Sequence, residues 1–99
     1  MEKFINNKCL VRGDKSGVFF GTVKEINGQT VVMENVRRIW YWEGANSISE
    51  LALNGTTKPY DCKFTVTVKN VCILDAIEIN VCSEKAIQSI ESVKEWKQK

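Results

Sequence analysis

Apolar and polar residues alternate in short runs along most of this chain, and the alternation predicts strands from Lys8 to the aromatic run that ends at Trp42. Lys8 to Arg12 is a short strand, followed by a turn at Gly13-Asp14-Lys15-Ser16-Gly17, where two glycines and an aspartate tolerate unusual backbone angles. In VFFGTVKEI, Val18, Phe20, Thr22 and Lys24 share one side and Phe19, Gly21, Val23 and Glu25 the other. A glycine inside a strand implies a sharp bend or a close backbone approach. Asn27-Gly28 carries the chemistry of a type I′ hairpin turn, and QTVVMEN is its return strand. Glu34-Asn35 is then either a second turn or a bulge in one long bent strand. VRRIWYW is extended in either case, because β-branched and aromatic residues dominate it. Alternation puts Val36, Arg38, Trp40 and Trp42 on one face and Arg37, Ile39 and Tyr41 on the other. Apolar bulk on both faces predicts a strand covered twice, by the domain core and by a helix, a ligand or a second subunit.

The pattern changes at Ser47. Ser47 and Glu50 form a capping box, Ile48, Leu51 and Ala52 an apolar side, and Gly55 a terminator, which predicts a helix of about two turns. A helix so short needs docking, and the aromatic strand is its expected site. Thr56 to Asp61, with Pro59, is a loop. KFTVTV alternates with Phe64, Val66 and Val68 inward against Thr65, Thr67 and Lys69 outward, and IEINV is a strand buried on at least one face. Ser83 caps a final helix, EKAIQSIESV, with Ala86, Ile87 and Ile90 as its apolar stripe. Val93 and Trp96 are expected to fold back onto the domain, leaving residues 1–7 and the KQK tail, 97–99, as mobile ends.

A bent strand containing glycine, a tight turn and an alternating strand that ends near an asparagine resemble the central strands of small SH3-like and Sm-like barrels. The expected fold is therefore α+β and mainly β, one domain over residues 1–99. Its small twisted sheet curls into a partial SH3/Sm-like barrel and carries two short helices. The predicted core is Val18, Phe20, Val23, Val32, Ile39, Trp40, Leu51, Phe64, Val66, Ile77, Ile79, Ile87 and Ile90.

Composition narrows the function. The net charge is only +2, with acids and bases interleaved, so a field strong enough to hold a nucleic-acid backbone is not expected. No apolar run approaches the roughly 20 residues that cross a bilayer, and MEKFINNK lacks the apolar stretch of a secretion signal, so the expected compartment is the cytoplasm. The four cysteines, Cys9, Cys62, Cys72 and Cys82, have no short pairwise spacing, and histidine is absent. They read as reduced, mostly buried small hydrophobes; neither a metal nor a cofactor is expected. Without histidine, catalysis would need a carboxylate, lysine or cysteine of shifted pKa, such as Glu43, Asp75 or Glu78, and no phosphate cradle, serine elbow or acidic cluster accompanies them. The chain is not expected to be an enzyme.

Binding has better support. Two arginines, two tryptophans and a tyrosine lie within six residues, from Arg37 to Trp42. Guanidinium forks pair with an anion and indoles stack on a planar ring, which together meet the demands of a nucleotide. The turn to Asn46 and the amino end of the Ser47 helix add backbone donors. The candidate ligand site is Arg37, Arg38, Trp40, Tyr41, Trp42, Asn46 and Ser47. The plainer alternative makes Trp40 and Trp42 core, Tyr41 an interface residue, and Arg37 and Arg38 partners of acids such as Glu34 or Glu50.

RRIWYW followed by an acidic residue, GA and S-I-S-E-L-A resembles the signature of a family of small bacteriophage and prophage proteins, and the similarity runs on through Cys62-Lys63-Phe64, Ala76-Ile77-Glu78-Ile79 and Glu84 to Trp96. The resemblance implies a protein that acts by binding something of the host, in the host cytoplasm. Three functions follow: a homo-oligomeric module that sequesters a nucleotide-like host signal, a protein-interaction module or inhibitor of a host protein, and a weak binder of single-stranded nucleic acid.

Overall fold

The computed structural model describes residues 1–98. Five strands form one antiparallel sheet: β1 (Lys8–Gly13), β2 (Val18–Asn27), β3 (Thr30–Tyr41), β4 (Lys63–Ile73) and β5 (Ala76–Val81). Helix α1 (Ile48–Asn54) and a 3-10 turn (Pro59–Asp61) separate β3 from β4, and α2 (Glu84–Ser92) follows β5. The strand order is β4-β3-β2-β1-β5. The two edge strands are thus consecutive in sequence and joined only by Leu74 and Asp75, so the sheet must curl to bring its edges together at that end. It does not close. The result is a partial barrel, mainly β, with two short helices.

The choice left open at Glu34-Asn35 resolves as a bulge. β3 runs through without a turn, Asn35 adopts φ 53°, and the pairing with β2 slips between Phe20 and Thr22, opposite Gly21. A Cβ on Gly21 would lie 3.0 Å from both the Glu34 carbonyl oxygen and Val36 Cγ2, so this glycine marks a close backbone approach.

Each face of the sheet has its own core. Leu10, Phe20, Ile39 and Phe64 project toward the helices and meet Leu51, Ala52, Ala86, Ile90 and Val93. Cys9, Val11, Phe19, Val23, Val31, Met33, Val36 and Ile73 fill the inside of the curl. The apolar residues of β3 as far as Ile39 are therefore covered on both faces by its own chain, while Trp40 and Tyr41 at its end are exposed. Of the predicted core, Phe20, Val23, Ile39, Leu51, Phe64 and Ile90 are buried, while Val18, Ile79 and Ile87 are half-buried against it.

Five residues expected to face inward depart from that expectation. Val66 and Val68 are exposed because β4 bulges: between the pairs Arg37–Thr67 and Ile39–Phe64, β3 contributes one residue and β4 two. Thr65-Val66 therefore reverses the alternation, and Thr67, not Val66, joins Phe20 and Arg37 on the helix side. Ile77 is exposed on the β5 edge, and Trp40 is 58% exposed. Val32 is half-buried; its neighbours Val31 and Met33 supply the core.

Helix α1 also docks elsewhere than expected. It rests on α2 and on the β1 and β5 end of the sheet, with Ser83 donating its amide to the Ala52 carbonyl at 3.0 Å. The amino-terminal residues, expected to be mobile, wind in hydrogen-bonded turns, pair with Val23 through Asn6 and Asn7, and pack Phe4 and Ile5 against the inner core. At the other end Val93 is buried, and the Trp96 amide donates to the Phe64 carbonyl at 2.8 Å, as the fold-back predicts. Of the KQK tail, Lys99 lies outside the described residues.

Candidate functional site

The seven predicted site residues do not share one pocket within the chain, and strand geometry is the reason. Neighbours on β3 point to opposite faces, so Arg37 and Arg38 separate. Arg37 goes to the helix side and is 8% exposed. It donates to the Ile90 carbonyl at 3.0 Å, to Thr65 at 3.2 Å and to Phe64 at 3.5 Å, with its guanidinium 5.4 Å from the Phe64 ring centroid. Burial pulls its pKa down and nearby Glu95 opposes that. It ties the end of α2 to β4, where a cation also suits the helix dipole.

Arg38 goes to the other face. Its guanidinium lies 4.4 Å from the Phe19 ring centroid and donates to the Ser16 carbonyl. Among the described residues neither arginine forms an ion pair with an acid. Glu50, one candidate partner, accepts instead from the Asn46 amide at 2.7 Å, while Ser47 Oγ accepts from the Glu50 amide at 3.2 Å. Ser47 caps the helix as expected, but the Glu50 carboxylate reaches one residue past the cap to the Asn46 amide, so the reciprocal half of the capping box is displaced and both Asn46 and Ser47 are engaged. Trp42 is half-buried against the helix-side core and donates its indole N–H to the Ala45 carbonyl at 3.3 Å.

What remains at the surface is an aromatic platform. Trp40 stacks on Trp96 with centroids 5.2 Å apart and planes 15° from parallel. Lys63 Nζ sits 5.2 Å from the Trp40 ring, 5.4 Å from Trp96 and 6.0 Å from Tyr41. Tyr41 donates to Glu43, and this bond first of all raises its pKa. Beside Trp96 lies a groove of about 390 Å³ lined by Pro59, Tyr60, Cys62, Lys94 and Glu95, with Tyr60 almost fully exposed. Trp40 and Tyr41 belong to the predicted set; Lys63, Trp96 and Tyr60 do not. Lys63 arrives by pairing with Tyr41 across β3 and β4, and Trp96 by a one-residue bridge beside Phe64. The only sequence signal for Trp96 is a large aromatic after the last helix, expected to fold back.

The carboxylates considered for catalysis have structural partners. Asp75 accepts from Ser16 Oγ at 2.5 Å and from the amides of Lys15 and Ser16 at 2.8 and 3.1 Å, fastening the β4–β5 connection to the turn after β1. Glu78 accepts from Asn80 at 2.8 Å. Burial pushes the Cys9 thiol up to about 11 and the Cys82 thiol up to about 12, so both stay protonated at neutral pH. All four cysteines are free, three buried and Cys72 exposed. Among the described residues no three metal-ligating side chains gather, and no helix is long and apolar enough to cross a membrane.

The Asp75 contacts predict an acid limb. The Ser16 hydroxyl and then the Lys15 amide hold the carboxyl below its ordinary 3.8, so the unfolded chain binds the proton more readily. The contribution is complete above that value and is lost as pH falls toward the lower folded pKa. Asp75→Asn should lower the urea midpoint at neutral pH and flatten its decline on acidification; an acid limb as steep as wild type would assign it to other groups.

Residues 6–90 match the profile of a domain of unknown function, DUF6948. The chain belongs to that family. The DUF6948 segment includes Trp40, Tyr41, Tyr60 and Lys63 and stops before Trp96, so one indole of the platform lies outside it. No curated protein and no solved structure matches the chain.

Proposed function

We propose that this DUF6948 protein is a non-enzymatic protein-interaction module whose contact surface is the Trp40–Trp96 platform with Tyr41, Tyr60 and Lys63. One observation carries the reading: Trp40 is held in a fixed stack yet stays 58% exposed. Exposing a large indole is costly unless something covers it, and tryptophan and tyrosine dominate the residues that contribute most at protein interfaces. The stack also removes rotamer freedom before binding, which lowers the entropy lost on association. The signature resemblance supports a bacteriophage origin, in which case the partner is a host protein met in the host cytoplasm.

A second reading, capture of a nucleotide-like ligand, draws on the Lys63 ammonium beside two indole faces, a stacking surface with one adjacent cation. It loses the paired guanidiniums, since Arg37 is enclosed and Arg38 lies over Phe19. Single-stranded nucleic acid has the least support, because the platform offers little positive charge for a backbone.

The test is affinity capture from host lysate followed by titration of the purified partner. Trp40→Ala should weaken the dissociation constant by more than about tenfold, with a similar loss for Trp96→Ala. An unchanged constant for both variants would reject the platform as the contact surface. Thermal stabilisation by a nucleotide that disappears in Trp40→Ala would favour the second reading.

A further inference from the structure

The sheet ends in two open edges. β4 pairs with β3 on one side, and among the described residues its outer side is met only at Phe64, where Glu95 and Trp96 run alongside. β5 pairs with β1 on one side. The outer edge is thus open on β4 beyond Phe64 and on β5 from Ile77 to Val81.

Soluble proteins usually blunt such edges with proline, with charge or with a covering element. Neither strand here contains proline, and much of the exposed apolar surface collects on them: Val66 and Val68 on β4, Ile77 and Val81 on β5, and Leu74 between the two. The charges on the edges are complementary. On the open stretches β4 carries Lys69 and no acid; β5 carries Glu78 and no base. Laying β4 on the β4 of a second copy brings like charges together, whereas laying it on β5 brings opposite charges together.

The geometry points to a second copy of this chain as the occupant, with β4 of one protomer pairing along β5 of the next. The junction satisfies open backbone donors and acceptors on both strands and covers Val66, Val68, Ile77 and Val81, which one protomer leaves in water. It joins two different surfaces, so each added copy still presents one free β4 and one free β5, and growth continues until rotation closes a ring. This ground for self-association differs from the one read in the sequence, since the apolar residues of β3 as far as Ile39 are already covered by its own chain. The Trp40–Trp96 platform sits at the Phe64 end of β4, beside the junction, and would be repeated once per protomer, allowing multivalent engagement.

Sedimentation velocity of the full chain over a range of concentrations tests this. Wild type should form a dimer or a larger ring, according to how many copies close it. Lys69→Glu and Glu78→Lys, each confirmed folded by far-UV circular dichroism and thermal melting, should each shift the distribution to monomer, and an equimolar mixture should restore the assembly because it recreates opposite charges at every junction. A wild type that stays monomeric at about 100 μM would overturn the proposal. So would assembly that ignores Glu78→Lys, which would place the contact on β4 against β4 or on the platform, and so would a mixture that remains monomeric.

Discussion

Arg37→Ala is expected to lower the unfolding free energy by about 3 kcal/mol, while Arg38→Ala costs less than about 1 kcal/mol. The residues are adjacent and identical, so the contrast measures their environments. Arg37 bonds the carbonyls of Phe64, Thr65 and Ile90, and truncation removes all three bonds from a buried seam, leaving the Phe64 carbonyl with only the Trp96 amide and the Ile90 carbonyl with only the Val93 amide. Lysine cannot reproduce the planar fork, so Arg37→Lys should recover only part of the loss. Arg38 is exposed and contributes a cation–π contact with Phe19 and one hydrogen bond. For a domain of this size the Arg37 effect corresponds to a fall of roughly 12–20 °C in Tm, readable by urea denaturation and calorimetry. An Arg37→Ala protein as stable as wild type would show that the guanidinium is free for a ligand, and would return the nucleotide reading to first place.

Phe64→Ala is expected to cost more, about 4 kcal/mol, out of a total that for a single domain is about 5–15 kcal/mol. Phe64 is fully buried among Leu10, Phe20, Ile39, Leu51 and Ile90, where sheet and helices meet. Its ring also lies beneath the Arg37 guanidinium, and its carbonyl accepts from both Arg37 and the Trp96 amide. Loss of the ring therefore opens a cavity and loosens the β4 edge that anchors Trp96. The two substitutions share a contact and should not be additive; a double-mutant cycle is expected to return about 1 kcal/mol of coupling. Phe64→Ala should also weaken partner binding through a displaced Trp96. A fully stable Phe64→Ala protein would contradict the two-sided core.

Much of the fold is legible in the sequence because its signals are local. A hairpin joins β2 to β3 where expected, although Asn27 stays paired with Thr30 and only Gly28 takes a positive φ, so the turn is Gly28-Gln29 and not a type I′ turn at Asn27-Gly28. Ser47 and Ser83 cap the two helices, and Gly21 marks a backbone approach. Alternation identifies the correct faces of β2 from Val18 to Val23. It fails on β4, where the bulge at Thr65-Val66 exchanges inside for outside and exposes Val66 and Val68. Nothing in KFTVTV announces that bulge, because it follows from pairing with a partner strand distant in sequence.

The candidate site was legible in composition and not in arrangement. The run from Arg37 to Trp42 is correctly singled out as unusual, and two of its members, Trp40 and Tyr41, stand on the exposed platform. The platform is completed by Lys63 and Trp96, which reach it through strand pairing and the fold-back after α2.

By itself the sequence determined the strands, the caps, the turn chemistry and the presence of an aromatic and cationic cluster, since each depends on residues within a few positions of one another. Tertiary structure alone decided the fate of each arginine and which indole faces water. On an extended strand adjacent side chains point to opposite sides, and only the packing of helices over one side settles which of them is enclosed.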